Sequence, residues 1–141
     1  MSVPSERIVA VVGAAVICEG RCLVTRRGKS QHSAGFWEFP GGKPHAGESA
    51  RTALARELRE ELSIEVEVLA SLGSSEFRGS GFVVQLEVFV CRLVAGHVEL
   101  REHDALAWCD ANNLAERQFS PADVPLLGAV AQYLQHDSGT L

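Results

Sequence analysis

Residues 8–18 read IVAVVGAAVIC, eleven consecutive positions without a charged or strongly polar side chain. That is too short to cross a bilayer, which takes about 20 apolar residues. A secretory signal can hold an apolar stretch this short. Here, however, the preceding SVPSER sets Glu6 against Arg7 with no basic cluster, and no clear cleavage site follows. The run is rich in Val and Ile and does not alternate with polar residues, so it reads as a strand buried on both faces. Such a strand needs cover above and below, which calls for a sheet between helices. With no exporting or anchoring segment in view, the expected location is the cytoplasm.

The remaining punctuation is consistent with that frame. Glu19-Gly20 turns residues 8–18 back into a second strand at 21–25. Residues 28–35 form a polar loop. Residues 36–39 are a short aromatic strand ended by Pro40-Gly41-Gly42, and 43–48 are another loop. Residues 49–62 are rich in Ala, Leu, Arg and Glu and form a helix that Ser49 can cap. Strands are expected at 64–72, 82–94 and 105–109. Ser120-Pro121 opens a second helix running to about Gln135, because Pro suits a first helical turn. The expected class is α/β: a mixed sheet with two main helices. At 141 residues and 15.2 kDa, one domain spanning 1–135 is expected, with 136–141 as a loose tail.

Composition excludes several functions. Hydrophobic residues at 46% and charged residues at 22% place the chain among ordinary globular proteins rather than disordered ones. Thirteen basic against eighteen acidic side chains leave a net charge of −5, which disfavours a nucleic-acid polymer or an anionic membrane as partner. The same balance poses a problem for any phosphate-bearing ligand, which something other than net charge must attract. Cys18, Cys22, Cys91 and Cys109 form no CxxC pair, and the five histidines show no ligand spacing beside them. The cysteines read as buried, reduced thiols.

The helix at 49–62 answers the charge problem. At roughly 100° per residue, Leu54, Leu58 and Leu62 form one stripe that faces the core. Glu57, Glu60 and Glu61 gather on one flank, at i, i+3 and i+4, with Glu61 at the edge of the stripe. Like charges at those spacings repel by a few tenths of a kcal/mol, and acids near a helix C-terminus oppose its dipole. Both costs make sense if a hard cation sits there. Magnesium takes oxygen ligands and shares them with substrate phosphates, so acids can hold the metal while the metal holds the phosphate. A solvated acidic face laced by Arg56 and Arg59 is the plainer alternative on the helix alone.

What precedes the helix favours the cation. Paired glycines after the aromatic strand let backbone approach a ligand closely. Lys43 follows at once and can meet a phosphate, and Glu48 can pair with Arg56 to hold the loop against the helix. Gly42, five residues, Glu48, seven residues and then Arg56-Glu57-Leu58-Arg59-Glu60-Glu61-Leu62-Ser63-Ile64 resembles the Nudix box, Gly-x5-Glu-x7-Arg-Glu-aliphatic-x-Glu-Glu-x-Gly-aliphatic. Ser63 alone departs, standing where the family has Gly. That position ends the helix in the left-handed region, where a Cβ costs roughly 1 kcal/mol, so a local stability cost is expected with little loss of activity. The resemblance covers nearly the whole chain. VTRRGKSQHSAGFWEFPGGK is similar to MutT-type nucleoside triphosphate pyrophosphohydrolases, and REHDALAWCD and FSPADVPLL are more similar still to the bacterial CTP pyrophosphohydrolase branch.

The resemblance implies an α/β/α sandwich, with Glu57, Glu60, Glu61 and a backbone carbonyl of Gly41 as magnesium ligands; manganese suits the same oxygens. It makes Glu102 a candidate metal ligand or general base, with Glu60 as its rival for the second role, and counts Glu48 and Arg56 with them in the catalytic set. Arg27, His32, Glu38, Phe39, Lys43, Phe82 and Asp123 are the implied substrate-binding residues. Of Trp37 and Phe39, which flank Glu38, one is expected to wall the base and at least one to pack in the core. Asp123, at the start of the second helix, can accept hydrogen bonds from a base amino group or ring N–H, or simply complement the helix dipole. MutT has an amide at the position of Asp123 and an arginine near that of Phe82, so a different or broader base preference is implied. The implied reaction is water attack on a nucleoside triphosphate to give the monophosphate and pyrophosphate, cleansing the nucleotide pool. Its substrates would be 8-oxo-dGTP, or CTP, dCTP and their 5-substituted forms. Another nucleoside diphosphate derivative, or a catalytically silent nucleotide sensor, are the rival readings. A monomer or homodimer is the expected assembly.

Overall fold

The computed structural model describes residues 6–138. Strand β1 (Arg7–Cys18) runs antiparallel to β2 (Arg21–Arg26) through a turn in which Glu19 and Gly20 both have positive φ, 51° and 75°. This is the two-residue turn whose twist suits a hairpin. Beyond Cys22 the two strands separate. The fork is filled by β3 (Trp37–Glu38), which pairs with β2, and β4 (Gly41–Gly42), which pairs with β1. Helix α1 (Ala50–Leu62) follows, then β5 (Glu65–Arg78) and β6 (Phe82–Ala95), an antiparallel pair. Strand β6 lies parallel to β1, and β7 (Ala105–Cys109) closes the far edge against β2. The result is one seven-stranded mixed sheet.

Both faces of β1 are covered, as its composition requires. Val12, Ala14 and Val16 pack with Leu54, Leu58, Leu62 and Phe89 beneath α1, and Ala15 packs on the other side with Val88, Val130 and Leu134 beneath α2 (Leu127–Ser138). The leucine stripe of α1 is fully buried. Ser49 caps the helix by accepting the Thr52 amide. Ser63 ends it at φ 60°, ψ 33°, in the left-handed conformation expected for the box position. Its hydroxyl accepts a hydrogen bond from Arg101 at 2.8 Å, a tie to the next loop that glycine cannot make.

Three boundaries differ from the sequence reading. Strand β5 continues past Leu72 through Gly73-Ser74-Ser75, with register shifts between Val68 and Ser71 and between Ser71 and Gly73. Bulges absorb the residues that spoil the pattern. The second helix does not open at Ser120-Pro121: a 3-10 turn at Val124–Leu126 comes first, and α2 starts at Leu127. Pro125 is the cause, since it lacks the N–H that an α-helical turn would return to the carbonyl of residue 121. At the other end, α2 reaches Ser138, so the expected tail loses residues 136–138 to the helix; its remainder, 139–141, lies outside the described residues. Among the described residues no helix is long and apolar enough to cross a membrane.

Candidate active site

Arg56 is the organising side chain. Its Nε and Nη2 form a fork on the two oxygens of Glu48, at 2.8 and 3.0 Å, and Nη2 also reaches the Lys43 carbonyl at 3.2 Å. Nη1 donates to Glu57 at 3.0 Å and to Glu60 at 3.2 Å. One guanidinium thus fastens the loop after β4 to the acid flank of α1. The hydrogen bonds from Arg56 hold the Glu48 carboxyl down at about 2, and Glu48 in turn raises Arg56 above its ordinary value. The second Glu48 tie, from the His45 amide at 2.8 Å, closes the loop on itself. The polar atoms of Glu48 and Arg56 are thus already engaged with each other, the loop and α1.

Glu57 and Glu61 occupy the protected side of the flank, while Glu60 faces outward with 56% of its side chain exposed. A Cβ on Gly42 would fall inside the Glu57 carboxyl, so the second glycine of β4 is the cradle in which that carboxylate sits. A Cβ on Gly41 would collide with the Val12 carbonyl, which explains the first glycine. Burial, and next the nearby Glu57, push Glu61 up to about 7; Glu102 and Glu38 add to the push and His103 opposes it. Four carboxylates around one half-buried position make a poor resting arrangement for a folded chain and a good one for a divalent cation. Among the described residues no three acids, histidines or thiols are already drawn into a closed cage.

Beside these acids lies a cleft of about 210 Å³. Arg27, Glu38 and Asp123 supply its polar wall, and Phe77, Phe82 and Pro121 line it with apolar surface. Arg27 Nη1 meets Glu38 Oε1 at 2.8 Å, and its Nε donates to the His32 carbonyl, which folds the loop at 28–35 over the cleft. Arg26 points elsewhere, to Asp104 at 2.6 Å, as strand alternation predicts. Asp123 is 6% exposed and accepts the Phe39 amide at 2.9 Å. Burial raises its carboxyl to about 7 despite that hydrogen bond; Glu38 pushes the same way and Arg27 opposes. Glu38 is thus felt by both Glu61 and Asp123, and it joins the acid flank to the cleft.

Most of the expected residues converge. Arg27, His32, Glu38, Phe82 and Asp123 line the cleft, and Glu57, Glu60, Glu61 and Glu102 stand around α1. Phe39 is a correction: its ring is buried against Phe119, 5.6 Å between centroids, and only its amide serves the site, through Asp123. Asp123 is likewise no helix-dipole residue, because it precedes a 3-10 turn and makes no side-chain cap there. Lys43 is exposed and contributes its carbonyl to Arg56.

The sequence reading missed Phe77, His103 and two glycines. Phe77 lay beyond the expected end of its strand. His103 looked like one more loop histidine, yet it is buried against Glu38. Gly28 has no room for a Cβ because the Glu102 carbonyl presses on it, which seats the loop at 101–104 on the end of β2. At Gly79 a Cβ would enter the Phe82 ring, so that glycine lets the ring fold over its hairpin. The Gly at each tight approach was the only available signal.

Comparison with known proteins agrees with this geometry. A family model described as the NUDIX domain matches residues 7–129. The chain is 38% identical over 123 residues to the CTP pyrophosphohydrolase of Escherichia coli, covering 87% of this chain and 91% of the relative. It is 37% identical over 128 residues to the putative 8-oxo-dGTP diphosphatase 2 of Mycobacterium tuberculosis, covering 88% and 89%. The solution structure of the E. coli ORF135 protein superposes with a TM-score of 0.79 at 34% identity, over all of both chains. The MutT Nudix hydrolase of Burkholderia pseudomallei gives 0.79 at 29% identity, over 89% of this chain and 99% of that one. The glycine cradle, the Arg56 fork and the acid flank are the three-dimensional form of the box read in the sequence, and the chain belongs to the Nudix hydrolase family.

Proposed function

We propose that this protein is a magnesium-dependent nucleoside triphosphate pyrophosphohydrolase that releases the monophosphate and pyrophosphate, removing modified or oxidised nucleotides from the pool. The observation that carries this reading is the placement of one carboxylate, Glu38, between an aromatic-lined cleft and the acids of α1. A base in the cleft puts its phosphate tail toward those acids. Nudix hydrolases generally need a divalent metal such as magnesium. Glu57 and Glu61, with Glu60 and the Gly41 carbonyl, are the groups that would hold it. When bound, the metal supplies charge neutralisation for the phosphates and a more acidic water.

The chain's own residues do the remaining work. Arg56 fixes the acids and the loop so that no reorganisation is needed as charge develops. Phe77 and Phe82 offer ring faces for stacking. Glu38 and Asp123 present acceptors to a base that carries an amino group or ring N–H, a class that includes cytosine derivatives and 8-oxoguanine. Glu102 and Glu60 stand within the electrostatic reach of the flank as candidates to take the proton of the attacking water. Relatives named for CTP and for 8-oxo-dGTP at nearly equal identity support this substrate class. The protein acts on single nucleotides, not on a nucleic-acid polymer or a membrane, as a monomer or homodimer in the cytoplasm.

The test is pyrophosphate release from a panel of normal, 8-oxo and 5-substituted triphosphates, with and without magnesium. Magnesium-dependent release from cytidine or 8-oxoguanine forms is expected. Turnover confined to sugar nucleotides or dinucleoside polyphosphates would overturn the reading.

A further inference from the structure

We propose that His103 is a positioning residue that sets the base preference of the cleft by clamping Glu38. The side chain of His103 is fully buried, with Nε2 2.8 Å from Glu38 Oε2. The other Glu38 oxygen takes Arg27 at 2.8 Å, so the carboxylate is held from two sides. Glu38 and Arg27 line the cleft; His103 does not, and it acts through them. Two donors, one on each oxygen, restrain the carboxylate. A carboxylate so restrained accepts an N–H only along set directions, which is how it discriminates one base edge from another.

The second imidazole nitrogen makes the case. Donation to Glu38 uses the proton on Nε2, and Nδ1, with or without a proton of its own, needs a separate partner. That atom is buried and has no hydrogen-bond partner among the described residues. A buried polar atom without a partner is destabilising, and an apolar ring of similar shape would avoid the cost. Packing therefore does not explain a histidine here, whereas its hold on Glu38 does. The supporting backbone is built for that hold: Asp104 donates to the Arg26 carbonyl at 3.0 Å, and Gly28 lets the Glu102 carbonyl approach. Together they deliver the ring to the end of β2.

The assignment rests on the nucleotide reading of the cleft, and steady-state kinetics of four variants separate the two. In His103→Phe, KM for the preferred triphosphate is expected to rise about tenfold, as for loss of a hydrogen bond to a charged group, with kcat changed less than about threefold. Preference between cytidine and 8-oxoguanine forms should flatten, and thermal stability should hold or rise. His103→Gln, whose amide can still donate to Glu38, should recover most of the KM. Adding His103→Phe to Glu38→Gln should change little beyond Glu38→Gln alone.

A drop in melting temperature at unchanged KM, in either the Phe or the Gln variant, makes His103 a packing residue and overturns the assignment. Additive effects in the double variant overturn it too. Absence of triphosphate turnover by the unmodified protein overturns the nucleotide reading, and this one with it.

Discussion

Glu57 and Glu61 differ from the other acids of α1 because the fold shelters them. Glu57 lies in the Gly42 cradle, and Glu61 is pushed up to about 7 by burial and its neighbours. Glu57→Gln or Glu61→Gln should lower pyrophosphate release by roughly two to three orders of magnitude, the range seen when one preorganised electrostatic group is removed. Melting temperature should not fall, since each amide relieves repulsion; unchanged turnover in both variants would refute the metal role. Ser63 permits a prediction of opposite kind. Ser63→Gly removes a left-handed strain of about 1 kcal/mol and gives up only an exposed hydrogen bond to Arg101, so a calorimetric melt should shift upward by a few degrees at unchanged turnover.

Asp123 titrates near 7 in the folded chain against 3.8 in the unfolded one. The folded state therefore binds the extra proton. The resulting stability is complete below about pH 3.8 and is lost as pH rises through about 7. Asp123→Asn keeps an acceptor for the Phe39 amide and cannot ionise, so relative to the unmodified protein it should be more stable at about pH 8 than at about pH 5. Denaturant titrations at the two pH values check the sign.

At the scale of elements, legibility in the sequence followed local periodicity. Helix α1 was readable to its cap because its leucines, its acids and Ser49 all say the same thing. Strand β1 was readable because an uncharged run has few other fates. Strand β5 was cut short because Gly73-Ser74-Ser75 looks like a turn, and only pairing with β6 keeps it extended. The start of α2 was misplaced because Pro121 was taken for a helix opener while Pro125, four residues on, forced the 3-10 turn. His103 was illegible because its meaning depends on Glu38, sixty-five positions away. The glycines at 28 and 42 show how such contacts are enforced between elements. Gly28→Ala should expel the loop at 101–104 from the end of β2, lowering both melting temperature and turnover. Gly42→Ala should displace the Glu57 carboxyl and cost turnover more than stability. Equal losses in both measures for Gly42→Ala would mean that the cradle serves packing rather than the acid.

For the whole molecule, the sign of charge is the constraint. A chain of net charge −5 that gathers four acids near one cleft repels a triphosphate at every approach. Arg27 and Arg56 offer little counterweight, because Arg56 is forked onto Glu48 and Arg27 is already engaged by Glu38 and the His32 carbonyl. On the proposed function, nucleotide affinity is therefore expected to depend on a cation that satisfies acid and phosphate together. Binding to the folded state alone stabilises it by RT ln(1 + [L]/Kd), about 2.7 kcal/mol at a hundredfold excess over Kd, or several degrees in a chain of this size. In a thermal-shift series, magnesium alone should give a small rise and a non-hydrolysable triphosphate alone almost none, while the two together give the full shift. Glu57→Gln should reduce the combined shift and leave the baseline melt intact. A full shift from nucleotide in the presence of a chelator would mean that the phosphates are held by side chains rather than through a metal on α1.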